Sequence, residues 1–215
     1  MLKHIIWDWN GTLVDDRWLC IEGINCSLKK RGLSEITDDV YKDMFTFPVE
    51  NYYKKVGFDF TNEPFRVAGD EFVSYYQKNF SKVKLHEGAL NTIKIIHREG
   101  LEQSVLSAGK NEYLVEWIKE HQLFDFFNKI RGINNHYAKG KLALGKRLVE
   151  ELEYDREGII MVGDTIHDSD VARAMDALED FIIREEDSLI ASNAGDSQWN
   201  ALQKYKDTYQ NFKYL

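Results

Sequence analysis

The chain has 215 residues, enough to bury a real core as one large domain or as one domain carrying an insert. Hydrophobic residues at 43% and charged residues at 30% are ordinary globular values. A formal charge of −8 with no basic stretch argues against a nucleic-acid partner, which needs a Lys/Arg patch to displace counterions; a small phosphate ester needs only a few local cations and backbone N–H groups.

In chain order, residues 3–9 form a short apolar run rich in Ile and Trp, which predicts a buried parallel strand. From about 15 to 84 the pattern is helical. Trp18, Ile21, Ile24 and Leu28 recur at three- to four-residue steps until "RGL" stops the helix. Cys20 and Cys26 lie in that helix on different faces and read as two free thiols. "ITDDVYKDMF", "VENYYKKV" and "PFRVAGDEFVSYYQKNF" follow as further helices, the last with Pro64 near its start.

After Leu85 the rhythm becomes strand–helix alternation. "GALNTIKIIHREG" is a helix, "LEQSVLSAG" a strand running into a loop, "NEYLVEWIKEHQL" a helix and "FFNKIRGI" a short strand. "LALGKRLVEEL" is a helix, "GIIMVGD" the clearest strand, "SDVARAMDA" a helix and "DFIIRE" a last strand. The tail carries Trp199, Leu202, Tyr205, Tyr209 and Phe212 at helical spacing, a stripe that packs on the core. Five strands alternating with helices predict an α/β fold: a doubly wound parallel five-stranded sheet covered on both faces. Pro48 and Pro64 are the only prolines and no Gly/Ser linker divides the chain, so a second domain would be inserted through short hinges. No run approaches 18 apolar residues and the short N-terminal one lacks a cleavage site; the expectation is a soluble, cytoplasmic protein with no membrane partner.

In such sheets ligands bind beyond the carboxyl ends of the strands. Asp8 in "WDWNGT", Ser107 in "VLSAG", Lys141 in "AKGKLALGKRL", and Asp164 with Asp168 in "VGDTIHD" fall on that edge. Singly, each has a plain reading as a turn former, a helix cap or a solvated lysine. Together they are what phosphoryl transfer asks for. Asp8 would attack phosphorus, and a hard cation such as Mg²⁺ suits two carboxylates such as Asp8 and Asp164. The Ser107 hydroxyl, backbone N–H groups and the Lys141 ammonium would neutralise the transferring oxygens. Asp168 would hold Lys141 or a metal-bound water.

"DWNGTLVDD", "LSAG", Lys141 and "VGDTIHD" together resemble the haloacid dehalogenase-like superfamily, in its phosphoglycolate phosphatase-like branch. The resemblance implies a core of residues 1–14 and 85–215 and a small helical cap at 15–84 that closes over the strand ends. It implies Mg²⁺-dependent hydrolysis of a small phosphorylated metabolite through an aspartyl-phosphate on Asp8, by a monomer or homodimer. Asp8, the backbone carbonyl of Asn10, Asp164 and Asp168 would form the metal site. Gly11, Thr12, Ser107, Ala108 and Lys141 would bind the phosphate, with Lys139 a weaker candidate for the lysine.

Asn10 departs from that pattern, which has Asp there as the general acid/base. An amide donates a hydrogen bond but supplies no proton at neutral pH, and losing a general acid/base costs ~10²–10⁴-fold in rate. The expectation is a slow phosphatase, catalytic through Asp8, Asn10 and Lys141, favouring acyl or aryl phosphates whose leaving groups need little protonation; His167 is the nearest group that could replace the acid. Three alternatives stand beside it. A catalytically impaired protein would bind a phosphorylated ligand. A hydrolase of a phosphonate or haloacid would, in the phosphonate case, draw a lysine such as Lys29 or Lys30 from the cap. "GKLALGKR" nearly fits a nucleotide-binding loop, but Arg147 stands where a hydroxyl belongs.

Overall fold

A computed structural model describes residues 2–133, 140–175 and 177–181. The aromatic tail stripe, Lys139 and most of "DFIIRE" lie outside the described residues.

Strand β1 (His4–Trp7) is followed by the two-residue β2 (Val14–Asp15). Helices α1 (Arg17–Lys30), α2 (Asp38–Met44), α3 (Val49–Lys55) and α4 (Phe65–Asn79) come next. The two-residue β3 (Lys84–Leu85) pairs antiparallel with β2, so a small ladder brackets the helical stretch on both sides. That ladder was not expected from the sequence, because two residues carry no periodic signal. The chain then alternates: α5 (Ala89–Arg98), β4 (Glu102–Lys110), α6 (Asn111–Glu120), β5 (Lys129–Ile133), α7 (Lys141–Leu152), β6 (Ile159–Gly163), α8 (Ile166–Ala174) and β7 (Leu178–Phe181). The last strand begins two residues before the expected "DFIIRE".

The five long strands form one parallel sheet in the order β5-β4-β1-β6-β7. Side chains alternate with period two, so both faces must be covered. Ile5 and Trp7 of β1 and Ile160 and Val162 of β6 pack with Ile93 of α5 and Leu114 and Ile118 of α6. Ile6, Ile159 and Met161 pack on the opposite face with Leu148 and Val149 of α7 and Val171 of α8. The chain runs outward from β1 in both directions, and the order reverses between β1 and β6. Such a switch point opens a crevice beyond the carboxyl ends of the strands.

The helical stretch has its own apolar cluster of Ile24, Leu28, Ile36, Tyr52, Tyr53, Phe58 and Ala68. Tyr52 and Tyr53 are therefore packing residues. At its base Tyr76 and Phe80 turn to the sheet side, where Phe80 stacks on Trp117 with centroids 4.4 Å apart.

Candidate active site

Asp8 follows β1 directly, and its N–H bonds Val162 O at 2.8 Å, so the strand pairing delivers it to the crevice. It is 6% exposed. Lys141, the first residue of α7, is 3% exposed; its Nζ lies 2.5 Å from Asp8 Oδ1 and 2.5 Å from Asp168 Oδ1. Asp168 owes its position to a capping box written in "TIHD". Its N–H donates to Thr165 Oγ1, while its Oδ2 accepts the Thr165 N–H at 3.1 Å and the hydroxyl at 2.5 Å. Its other oxygen is left for Lys141. Gly163 permits this approach, since a Cβ there would sit 2.4 Å from Asp168 Cβ.

Asp164 is exposed, and Thr12 Oγ1 donates to its Oδ1 at 3.0 Å. Gly11, at φ +75°, lies so close that a Cβ would come within 2.2 Å of Asp164 Oδ2. Asp8, Asp164 and Asp168 each bring one carboxylate oxygen within 4.8 Å of the others.

The electrostatics follow from one ammonium facing two buried carboxylates. Burial pushes Asp168 up, but Lys141 and the Thr165 donors outweigh it and hold the carboxyl below its usual range. Asp8 has less help. Burial pushes it up, Asp168 adds to the rise, and Lys141 with the Trp9 N–H offsets only part, leaving it at about 7. Burial works against the Lys141 charge, yet the two carboxylates hold its pKa above the ordinary lysine value. The three oxygens are hard donors with uncompensated negative charge, a set that fits Mg²⁺.

The side-chain hydrogen bonds of Asn10 go to Asp16, Tyr76 and Ser107. Its amide NH₂ donates to Asp16 Oδ2 at 2.8 Å and to the Tyr76 hydroxyl at 2.9 Å, and Tyr76 donates to the same Asp16 oxygen at 2.7 Å. Asp16 Oδ1 accepts the Gly11 N–H at 2.9 Å. The Asn10 carbonyl oxygen accepts from Ser107 Oγ at 3.3 Å, and Ser107 Oγ in turn accepts the Gly109 N–H at 3.0 Å. Ala108 is half-buried beside it, where the β4–β5 register shifts. Asp16 and Tyr76 were missed in the sequence. The doubled acid of "VDD" was the available signal for Asp16, whereas Tyr76 looked like any core aromatic of its helix.

His167 stacks on Phe47 with ring centroids 4.3 Å apart, and its Nε2 is buried without a hydrogen-bond partner. Burial lowers its pKa, and Lys141 lowers it further. Lys29 and Lys30 are exposed and paired with Glu35 and Glu71, not with the carboxylate cluster. The nucleotide-loop reading of "GKLALGKR" is overturned. Lys141–Leu152 is helix, and Gly145 packs inside it so tightly that a Cβ would meet Met175 Sδ at 2.5 Å.

The haloacid dehalogenase-like hydrolase family model matches residues 5–178, most of the chain. The chain belongs to that family. No curated protein matches it in sequence. Solved haloacid dehalogenase-like structures share its fold. A hydrolase of the family from Streptococcus pneumoniae is 17% identical with TM-score 0.72, over 94% of this chain and 91% of that one. A predicted phosphoglycolate phosphatase from Haemophilus somnus is 18% identical with TM-score 0.69, over 83% and 84%. Protein Tyrosine Kinase A from Mycobacterium tuberculosis is 17% identical with TM-score 0.73, over 94% and 97%. At these identities the likeness is one of fold. With a kinase and a phosphatase among the names, the reaction of this haloacid dehalogenase-like hydrolase has to be argued from its site.

Proposed function

We propose that the protein is a Mg²⁺-dependent phosphohydrolase of small phosphate monoesters, with Asp8 as the nucleophile. The observation that carries this is the Lys141 ammonium set between Asp8 and Asp168, with Asp164 in the same cluster. An Asp8 oxygen attacks phosphorus, the ester P–O bond breaks, and the phosphoryl group is held on Asp8. Water then cleaves the aspartyl-phosphate and releases inorganic phosphate. Lys141 neutralises the transferring oxygens, and Asp168 keeps its ammonium aimed. Asp8, the Asn10 backbone carbonyl, Asp164 and Asp168 would hold the ion, which supplies positive charge to the phosphoryl oxygens when bound. Ser107, Ala108, Gly11 and Thr12 form the phosphate cradle in this reading.

The helical stretch 15–84 is the cap of a core formed by 1–14 and 85–215. Its separate apolar cluster and the short β2–β3 ladder at its two ends support that division. Closure over Asp8 excludes water and selects the substrate. The free thiols Cys20 and Cys26 suit a reducing, cytoplasmic setting.

The test is a screen of phosphorylated metabolites with and without Mg²⁺, on wild type and Asp8→Asn. Metal-dependent phosphate release by wild type alone is expected; equal release by the variant removes Asp8 from the chemistry. The committed Asn10 amide favours a second reading, in which a phosphorylated ligand binds without turnover. Failure to form a beryllium fluoride adduct on Asp8 would favour it.

A further inference from the structure

Two observations converge on the group that leaves. The first is the Asn10 amide. Both of its N–H bonds are engaged, one by Asp16 and one by Tyr76, and its oxygen faces Ser107. Asp16 is itself 2% exposed and fixed by the Gly11 N–H. The Asn10 side chain thus presents neither a proton nor an unused donor to a leaving oxygen. Alkoxide leaving groups, with conjugate acids near the ~15.7 of water, depart poorly without a proton. Phenol-type oxygens, at about 10, depart far more readily.

The second is what packs against the carboxylate loop. Phe47, in the segment between α2 and α3, is the ring that reaches the loop of Asp164 and Asp168, stacked on His167 at 4.3 Å and 27°. Behind it Phe45 packs at 5.4 Å, Tyr41 stacks on Phe45 at 5.0 Å, and Tyr52 meets Tyr41 at 5.6 Å. A continuous row of rings therefore runs from the helical cluster to the carboxylate loop. Of the cations nearest it in sequence, Lys42 is paired with Asp38 and Lys54 with Glu50. Such a wall suits a flat apolar group and offers little to a second anion.

The geometry points to aryl phosphate monoesters as the substrate class, with Phe47 as the specificity-determining residue that receives the ring. This rests on the phosphohydrolase reading of the site. In the reaction the P–O(aryl) bond breaks as the Asp8–phosphorus bond forms. The electron pair leaves on the aryloxide oxygen, which takes a proton from solvent. Water then breaks the Asp8–phosphorus bond, giving inorganic phosphate and returning the carboxylate. The net change is aryl phosphate plus water to phenol plus phosphate.

The experiment measures kcat/KM of the full chain with Mg²⁺ on 4-nitrophenyl, phenyl, ethyl and acetyl phosphates and on phosphoglycolate, for wild type, Asn10→Asp and Phe47→Ala. Wild type is expected to fall at least about 100-fold from phenyl to ethyl phosphate, as loss of a general acid requires. Asn10→Asp should narrow that gap at least tenfold by raising ethyl phosphate. Phenyl phosphate should show a lower KM than acetyl phosphate, and Phe47→Ala should shrink that preference roughly 2- to 10-fold, the scale of one ring pair. Ethyl phosphate or phosphoglycolate turned over within threefold of phenyl phosphate by wild type overturns the proposal and leaves the phosphohydrolase standing. Hydrolysis of acetyl phosphate without aryl phosphates does the same. No turnover of any compound overturns both.

Discussion

The Asn10 side-chain amide donates to the Asp16 carboxylate across 2.8 Å. Replacing Asn10 by Asp turns this donor–acceptor pair into two carboxylates in contact, which share one proton. Asn10→Asp should raise turnover of ethyl phosphate at least about tenfold, since a general acid is worth ~10²–10⁴-fold. Its activity should persist to higher pH than in Asn10→Asp/Asp16→Asn, where the like charge is gone and the new acid ionises earlier. pH–rate profiles of the two variants check this. No rise in Asn10→Asp with metal still bound would show that proton transfer is not what limits the site.

Lys141 is the sole cation whose hydrogen bonds to Asp8 and Asp168 are resolved among the described residues. Lys141→Met leaves two buried carboxylates facing each other. The expected loss of stability is about 3–5 kcal/mol, read from urea unfolding without metal. Turnover should fall by ~10²–10³, the scale of removing one group that stabilises a developing oxyanion. A variant as stable as wild type would mean that both carboxylates are already neutral.

Asp8 sets a pH dependence of defined sign. Its folded value of about 7 lies above the unfolded 3.8. Between those limits the folded state holds a proton that the unfolded state has released. The contribution of Asp8 to stability is therefore full below about 4 and is lost as pH rises through about 7. Metal binding must expel that proton. The apparent Mg²⁺ affinity should weaken about tenfold per pH unit below 7, with one proton released per ion. Calorimetry in buffers of different ionisation enthalpy counts the proton directly.

Gly11 is held at φ +75°, and a Cβ would approach Asp164 Oδ2 to 2.2 Å. Gly11→Ala should cost about 1–2 kcal/mol in left-handed backbone strain alone. It should also push Asp164 out of the carboxylate cluster. Thermal unfolding with and without Mg²⁺ separates the two effects: the variant should lose both stability and most of the stabilisation by the ion.

The sequence by itself determined what is local or periodic. Uninterrupted apolar runs in "IIW" and "IIMV" marked the strands of a sheet buried on both faces, and the polar residues after them sit at strand ends because strand pairing puts them there. Asp168 was legible as part of "VGDTIHD", and the capping box that fixes its side chain is as local, spanning four residues. Tertiary structure alone decided the relationships between distant side chains. Asp16 meets Tyr76 across 60 residues of chain, Phe47 meets His167 across 120, and Lys141 reaches Asp8 across 133. Backbone periodicity says which face a residue occupies, but the rotamer of Asn10 depends on donors and acceptors supplied by elements far along the chain. Which partners that amide binds was decided only when Asp16 and Tyr76 were folded against it.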